Sequence, residues 1–192
     1  MKRWKLIWTA AALAAASPSW FQGSGYTANN REMAAIFADD QAPRTATGAN
    51  IDWSVVGPAD QKRRARTKQL LDTGQLRTGD DFYHAAMVFQ HGEAAQDYML
   101  AHTLSVIAAA RGRKDATWLS AATLDRYLQS VGHSQIYGTQ YRTVSAKTTQ
   151  EPYDRALISD ALRGALGVAS QAEQEQRRSS IEQQYKQAGK AK

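Results

Sequence analysis

Between Asp80 and Gly132, apolar side chains return at helical spacing three times in succession. Phe82, Ala85, Ala86 and Phe89 form the first stripe, started by a cap at Asp80 or Asp81 and stopped at Gly92. Leu100, Leu104, Ile107 and Ala108 form the second, in a helix expected over 95–111 and closed by Gly112. Leu124, Leu128 and Val131 form the third, in a helix expected over 115–131 and ended by Gly132. Small residues stand where these helices would touch, so the pattern predicts short, closely packed helix hairpins.

The flanks are less regular. Asn30 is placed to cap a helix over 31–39 that turns Met33, Ile36 and Phe37 to one side. Residues 51–56 read as extended or irregular as far as Gly57-Pro58, and a helix is expected to begin near Pro58 with Asp60 in its first turn. That helix carries Lys62, Arg63, Arg64, Arg66 and Lys68 ahead of Leu70-Leu71. With no aromatic residues interleaved for base stacking, the cations read as a solvated face, with one arginine paired to Asp60 or Asp40. Residues 136–146 alternate loosely and predict a small β-hairpin or an extended flap. A polar loop over 147–151 follows, then a helix over 153–166 with Ile158, Leu162 and Leu166 inward and an Asp160–Arg163 pair on its surface. From Ser170 onward the chain is rich in Gln, Glu and Arg and reads as a solvated helix that frays into a loose, mobile tail.

The expected fold is therefore mainly α: a single compact helical domain of short hairpins with a small β-hairpin near residues 136–146. Its divisions are a signal peptide over 1–22, an N-terminal helix and loop extension over 23–57, a helical core over 58–168 and a polar helical tail over 169–192.

Composition changes this picture in two ways. The chain has no cysteine among its 192 residues, which removes disulfides, thiol catalysis and thiolate metal sites from consideration. The formal charge of +6 includes Lys2, Arg3 and Lys5, which belong to the leader; the 21 basic and 18 acidic residues that remain leave +3. A balance that modest does not point to nucleic acid.

The leader itself is the clearest statement about location. Lys2, Arg3 and Lys5 make a positive start, Leu6 to Ala16 is apolar, and Ala14-Ala15-Ala16 before Ser17-Pro18 offers small residues for cleavage. As a helix the apolar stretch would rise only about 16 Å, short of a hydrocarbon core of about 30 Å. The expectation is export to the periplasm or beyond, with membrane attachment only through an uncleaved leader.

Two resemblances carry further. Ala101, Ala108, Ala109, Gly112 and Ala116, with Tyr83, Phe89 and Gly92 ahead of them, resemble the small-residue spacing of one tetratricopeptide-like helical hairpin. A solenoid needs about three such units. More broadly, Asp40-Gln41 with Arg44, then Gln90-His91, Asp125-Arg126 and Gln135 with Tyr137-Gly138-Thr139-Gln140 resemble a bacterial family of domains of unknown function. Its pattern is D-Q-x-x-R, Q-H, D-R and Q-x-Y-G-T-Q, and the resemblance spans roughly residues 31–165. It implies a pattern of residues without implying an activity.

The residue types in that pattern suit a pocket that recognises a polar ligand through directed hydrogen bonds. Gln90, His91, Asp125, Arg126, Gln135, Tyr137 and Gln140 are the candidate binding residues. The competing reading is a buried network in which the same groups satisfy one another. A catalytic reading has His91 as general base with Asp125 orienting it, in a hydrolase acting on an envelope or extracellular substrate; no serine stands in a nucleophile-elbow context. His84, His91, His102 and Asp97 lack the spacing of a metal motif, and no cofactor is expected. The leading expectation is a non-catalytic binding or interaction domain of the cell envelope, with a polar ligand or an envelope protein as partner.

Overall fold

A computed structural model of the protein describes residues 28–45 and 51–190, so the leader expected over 1–22 lies outside the described residues. The chain is mainly helical: α1 (Arg31–Thr45), α2 (Trp53–Asp72), α3 (Gly79–Phe89), α4 (Ala95–Ala110), α5 (Ala116–Ser130), β1 (Arg142–Val144), β2 (Lys147–Thr149), α6 (Asp160–Ala165) and α7 (Gln171–Lys190).

Helix α4 is the axis of the core, packed against α3 on one side and α5 on the other. Its buried residues, Ala101, Leu104, Ser105 and Ala108, are mostly small, which lets both neighbours approach closely. Ser105 hides its hydroxyl by donating to Ala101 O at 2.7 Å. Met33 of α1, Leu70 of α2, Ala85 and Ala86 of α3 and Leu119 of α5 complete a continuous apolar cluster. Full burial of a side chain the size of Leu or Met contributes about 1.5–3 kcal/mol, so Met33 and Leu70, with Ile36 and Leu71 beside them, fasten α1 and α2 to the hairpins.

The expected Asn30 cap is present, its Oδ1 accepting from Met33 N at 2.9 Å. Helix α1 then runs six residues past the expected end at Asp39, through Pro43. Asp40 and Arg44 in its last turns are tied to α2 by ion pairs, which hold that turn in place. The segment expected to be extended before Pro58 is already helical, because Asp52 caps α2 by accepting from Ser54 N at 3.0 Å. In α3 the cap is Thr78 rather than Asp80 or Asp81. Thr78 Oγ1 accepts from Asp81 N, and Asp81 returns the bond to Thr78 N, a reciprocal capping box.

Three further expectations are corrected in the C-terminal half. The buried residues of α5 are Ala116, Leu119, Ala121, Ala122, Thr123 and Asp125, and Val131 is exposed. This helix buries a second, polar face against the loop that follows it, which leaves Leu124 and Leu128 half-buried. The hairpin lies over 142–149, later than expected, and turns the first three residues of the polar loop expected over 147–151 into β2. Val144 pairs with Lys147 around Ser145 and Ala146, whose φ angles of 49° and 59° are those of a two-residue hairpin turn. The helix expected over 153–166 shrinks to α6, because Tyr153 is held extended in a bridge with Gln135. Leu162 is exposed there and Arg163 is buried in its stead.

The polar tail is helical, as expected, but joined to the domain. Glu182 of α7 accepts from Thr148 N at 3.1 Å, Arg178 donates to Thr148 O at 3.1 Å, and Gln174 is buried. Among the described residues no helix is long and apolar enough to cross a membrane.

Candidate binding site

The loop between α5 and β1 is wrapped around one carboxylate. Asp125 of α5 is fully buried, and its Oδ1 accepts from Ile136 N at 2.8 Å and Tyr137 N at 3.0 Å. Its Oδ2 accepts from Thr139 N at 2.9 Å and from the Thr139 hydroxyl at 2.8 Å. Charge-assisted bonds of this kind are roughly twice as strong as neutral ones. Gln135, also fully buried, closes the base of the loop. Its Nε2 donates to Gln140 O at 3.0 Å and to Gln150 O, and its Oε1 accepts from Gln140 N at 3.0 Å.

The carbonyls of the same loop face the other way and meet donors. Tyr137 O accepts from Gln174 Nε2 at 2.8 Å, the Tyr153 hydroxyl at 3.2 Å and Arg163 Nε at 3.3 Å, while Gly138 O accepts from Gln150 Nε2 at 2.6 Å. Gly138 has φ +81°, and a Cβ there would fall 2.1 Å from Gln174 Oε1. This close approach requires glycine. Gln150, Tyr153, Arg163 and Gln174 were not legible as members of this network. Arg163 in particular has the spacing of a surface pair with Asp160, and that pair does form at 3.0 Å, yet its guanidinium is wholly buried.

Arg126 follows Asp125 but serves a different space. Its Nε donates to Gln140 Oε1 at 3.2 Å and its Nη1 to Gln90 O at 2.6 Å, and the guanidinium stands 5.9 Å from the centre of the Tyr98 ring. Both acceptors are neutral, and no carboxylate pairs with it among the described residues. Burial pulls its pKa below the ordinary arginine value, against a small opposing effect of Tyr98. Gln140 is itself fixed, donating to Ala122 O at 3.1 Å. Arg126, Gln140 and Gln90 line a trough of about 170 Å³ between α5, the loop and the start of α7, together with Trp118, Ala122, Tyr141, Val168, Gln174 and Arg177.

His91 lies elsewhere. Its Nδ1 sits 2.9 Å from Asp40 Oδ2, so its partner is Asp40 and not Asp125, whose oxygens are both committed to the loop. Asp40 is fully buried and also accepts from Gln41 Nε2 at 2.7 Å. Arg44 and Arg63 bridge it to Asp60. Burial pushes the Asp60 carboxyl up, but bonds from Arg63 and Arg44 outweigh it and hold the group below the usual carboxylate range. The other histidines are dispersed: His84 stacks on Phe37 at 4.3 Å, and His102 Nδ1 lies 2.9 Å from Ser120 O. Among the described residues no three His, Asp or Glu side chains gather as metal ligands would.

The seven candidate residues thus divide. Asp125 and Gln135 are framework, Tyr137 contributes chiefly its carbonyl, His91 joins the Asp40 cluster, and Gln90, Arg126 and Gln140 meet at the trough. The chain matches no family model, no curated protein and no solved structure.

Proposed function

We propose that the protein is an exported binding domain of the cell envelope, periplasmic or secreted, that holds a small polar ligand without transforming it. The leader-like segment with Lys2, Arg3 and Lys5 ahead of Leu6 to Ala16 supports export. One observation carries the binding reading: Gln90, Arg126 and Gln140 converge on a single trough whose wall is held rigid by Asp125 and Gln135. A wall fixed before the ligand arrives lowers the ordering cost of binding. The test is a ligand-observed NMR screen of small charged and neutral polar compounds, repeated on Ala169→Leu, which obstructs the rim of the trough. Hits lost in that variant support the reading, and a screen without hits, or with hits that A169L leaves unchanged, removes it. Export is tested separately by fractionation and N-terminal sequencing; the mature chain should begin beyond Ala16, within or at the end of the 1–22 leader.

A second reading, a hydrolase with His91 as general base, is favoured by the 2.9 Å pairing of His91 with Asp40, the geometry of a base and its orienter. His91 does not line the trough. That reading predicts turnover that disappears in His91→Ala while ligand binding persists.

A further inference from the structure

The trough has an electrostatic sign. Helix α5 lays Trp118, Ala122 and Arg126 along its floor at intervals of four residues, one face of the helix and about 12 Å from end to end. Ala122 makes the hollow, Trp118 the aromatic end and Arg126 the cationic end. Across from them stand the loop Gly138 to Tyr141, then Val168 and Ala169, then Gln174 and Arg177 of α7. The lining holds two arginines and no acidic residue.

Elsewhere the deeply set arginines are matched. Arg44 and Arg63 share Asp40 and Asp60, Arg64 approaches Asp97 at 3.9 Å, and Arg163 pairs with Asp160. Arg126 has only Gln140 Oε1 and the carbonyl of Gln90. Arg177 lies over the Tyr141 ring at 5.8 Å, and no ion pair engages it among the described residues. A desolvated charge without a counter-charge is costly, and a pocket that leaves one at its edge favours a ligand of opposite sign.

Resting on the binding-domain reading above, we propose that the trough takes a small organic anion, a carboxylate or phosphate monoester, whose charged group meets Arg126 and whose apolar body lies over Ala122 toward Trp118. At about 170 Å³ the trough lies below the roughly 300–1,000 Å³ of ordinary ligand pockets, which suits a compact ligand rather than a peptide or an oligosaccharide. A bare inorganic ion would leave the Trp118 and Val168 end empty. Guanidinium groups recognise carboxylate and phosphate alike through paired N–H donors, so the anchor is common to both ligands.

Calorimetric titration of the purified protein at low ionic strength tests this, with benzoate, phenyl phosphate, acetate and inorganic phosphate as probes and benzamide as the neutral twin. Benzoate or phenyl phosphate should bind, with benzamide and the bare ions weaker by about tenfold or more, the scale of one lost charge-assisted bond. Arg126→Gln should lose at least about tenfold, with partial recovery in Arg126→Lys, which keeps the charge and loses the fork. Because Arg126 also holds Gln90 O, Arg177→Gln and Ala169→Leu carry the test should R126Q fail to fold; each should weaken the anion. If benzamide binds as tightly as benzoate, or the two charge variants leave affinity unchanged, the anion inference falls and the binding reading stands. If none of these probes and no compound of the wider screen binds, both fall.

Discussion

Asp125 and Thr139 are joined twice: one carboxylate oxygen accepts from the backbone N–H and from the hydroxyl of the same residue, at 2.9 and 2.8 Å. With Ile136 and Tyr137 on the other oxygen, a single side chain of α5 sets the path of the loop that walls the trough.

Asp125→Ala should therefore be among the most damaging single changes. It strands three backbone N–H groups and a hydroxyl in a buried site, and removing one partner of such a network costs about 3–5 kcal/mol. Urea unfolding measures this directly. A loss below about 1 kcal/mol would mean that the loop does not depend on the carboxylate.

Gly138→Ala should destabilise strongly for a different reason. Beyond the left-handed backbone at φ +81°, the added methyl would meet Gln174 Oε1 at 2.1 Å and the Tyr153 ring carbon Cζ at 2.6 Å. Strain and overpacking together come to about 3 kcal/mol. The double variant Gly138→Ala with Gln174→Ala should recover part of that loss, since the nearest obstacle is a side chain; no recovery would place the cost in the backbone and the Tyr153 ring instead.

Arg163 closes the carbonyl side of the loop, donating to Tyr137 O and bridging to Asp160. Arg163→Met should cost about 2 kcal/mol or more by removing the buried charge-assisted bonds to Tyr137 O and Ile136 O together with the ion pair to Asp160. Arg163→Lys should rescue little, because an ammonium cannot reproduce the fork. Full recovery by lysine in thermal unfolding would contradict the assigned role.

Stability should also depend on pH through His84. Burial holds its pKa below the ordinary 6.5, with Asp80 and Arg113 acting in opposite directions, and its Nδ1 has no hydrogen-bond partner. A histidine whose folded pKa is lowered stabilises the fold above its unfolded pKa, and that contribution is lost as pH falls through the folded value. Wild type should lose stability from about 6.5 downward, and His84→Phe, which keeps the stack on Phe37, should flatten that part of the profile. An unchanged profile in the variant would assign the dependence to other groups.

How much of this was legible in the sequence follows from what each residue depends on. The stripe and the Asn30 cap are local: Ala85, Ala86 and Phe89 are buried with Phe82 packed half-buried against them, and the cap stands where expected. The hairpin escaped its proper place because its turn is Ser145-Ala146, which lacks the Asn-Gly or Asp-Gly signal of positive-φ turns. Arg163 escaped because its pairing with Asp160 is visible as a spacing whereas its burial is decided by Tyr137, twenty-six residues earlier. The Asp125-Arg126 pair stood out as polar residues in a helix, but not their division of labour. Successive residues of a helix point about 100° apart, so one side chain enters the loop and the next faces the trough. His91 was paired with the wrong aspartate for a related reason: Asp40 is fifty-one residues away, and only the packing of α1 on α3 brings the two together.

Where a bound compound sits decides whether the trough is a binding site. Amide chemical shifts of isotopically labelled protein, recorded against the hits of the small-molecule screen, report that position residue by residue. A ligand held in the trough should concentrate the shifts on Gly138 to Tyr141 and Val168 to Arg177, and they should vanish in Ala169→Leu. Shifts confined to the surroundings of His91 and Asp40, or to the apolar groove beside Met99 and Tyr127, would contradict that placement.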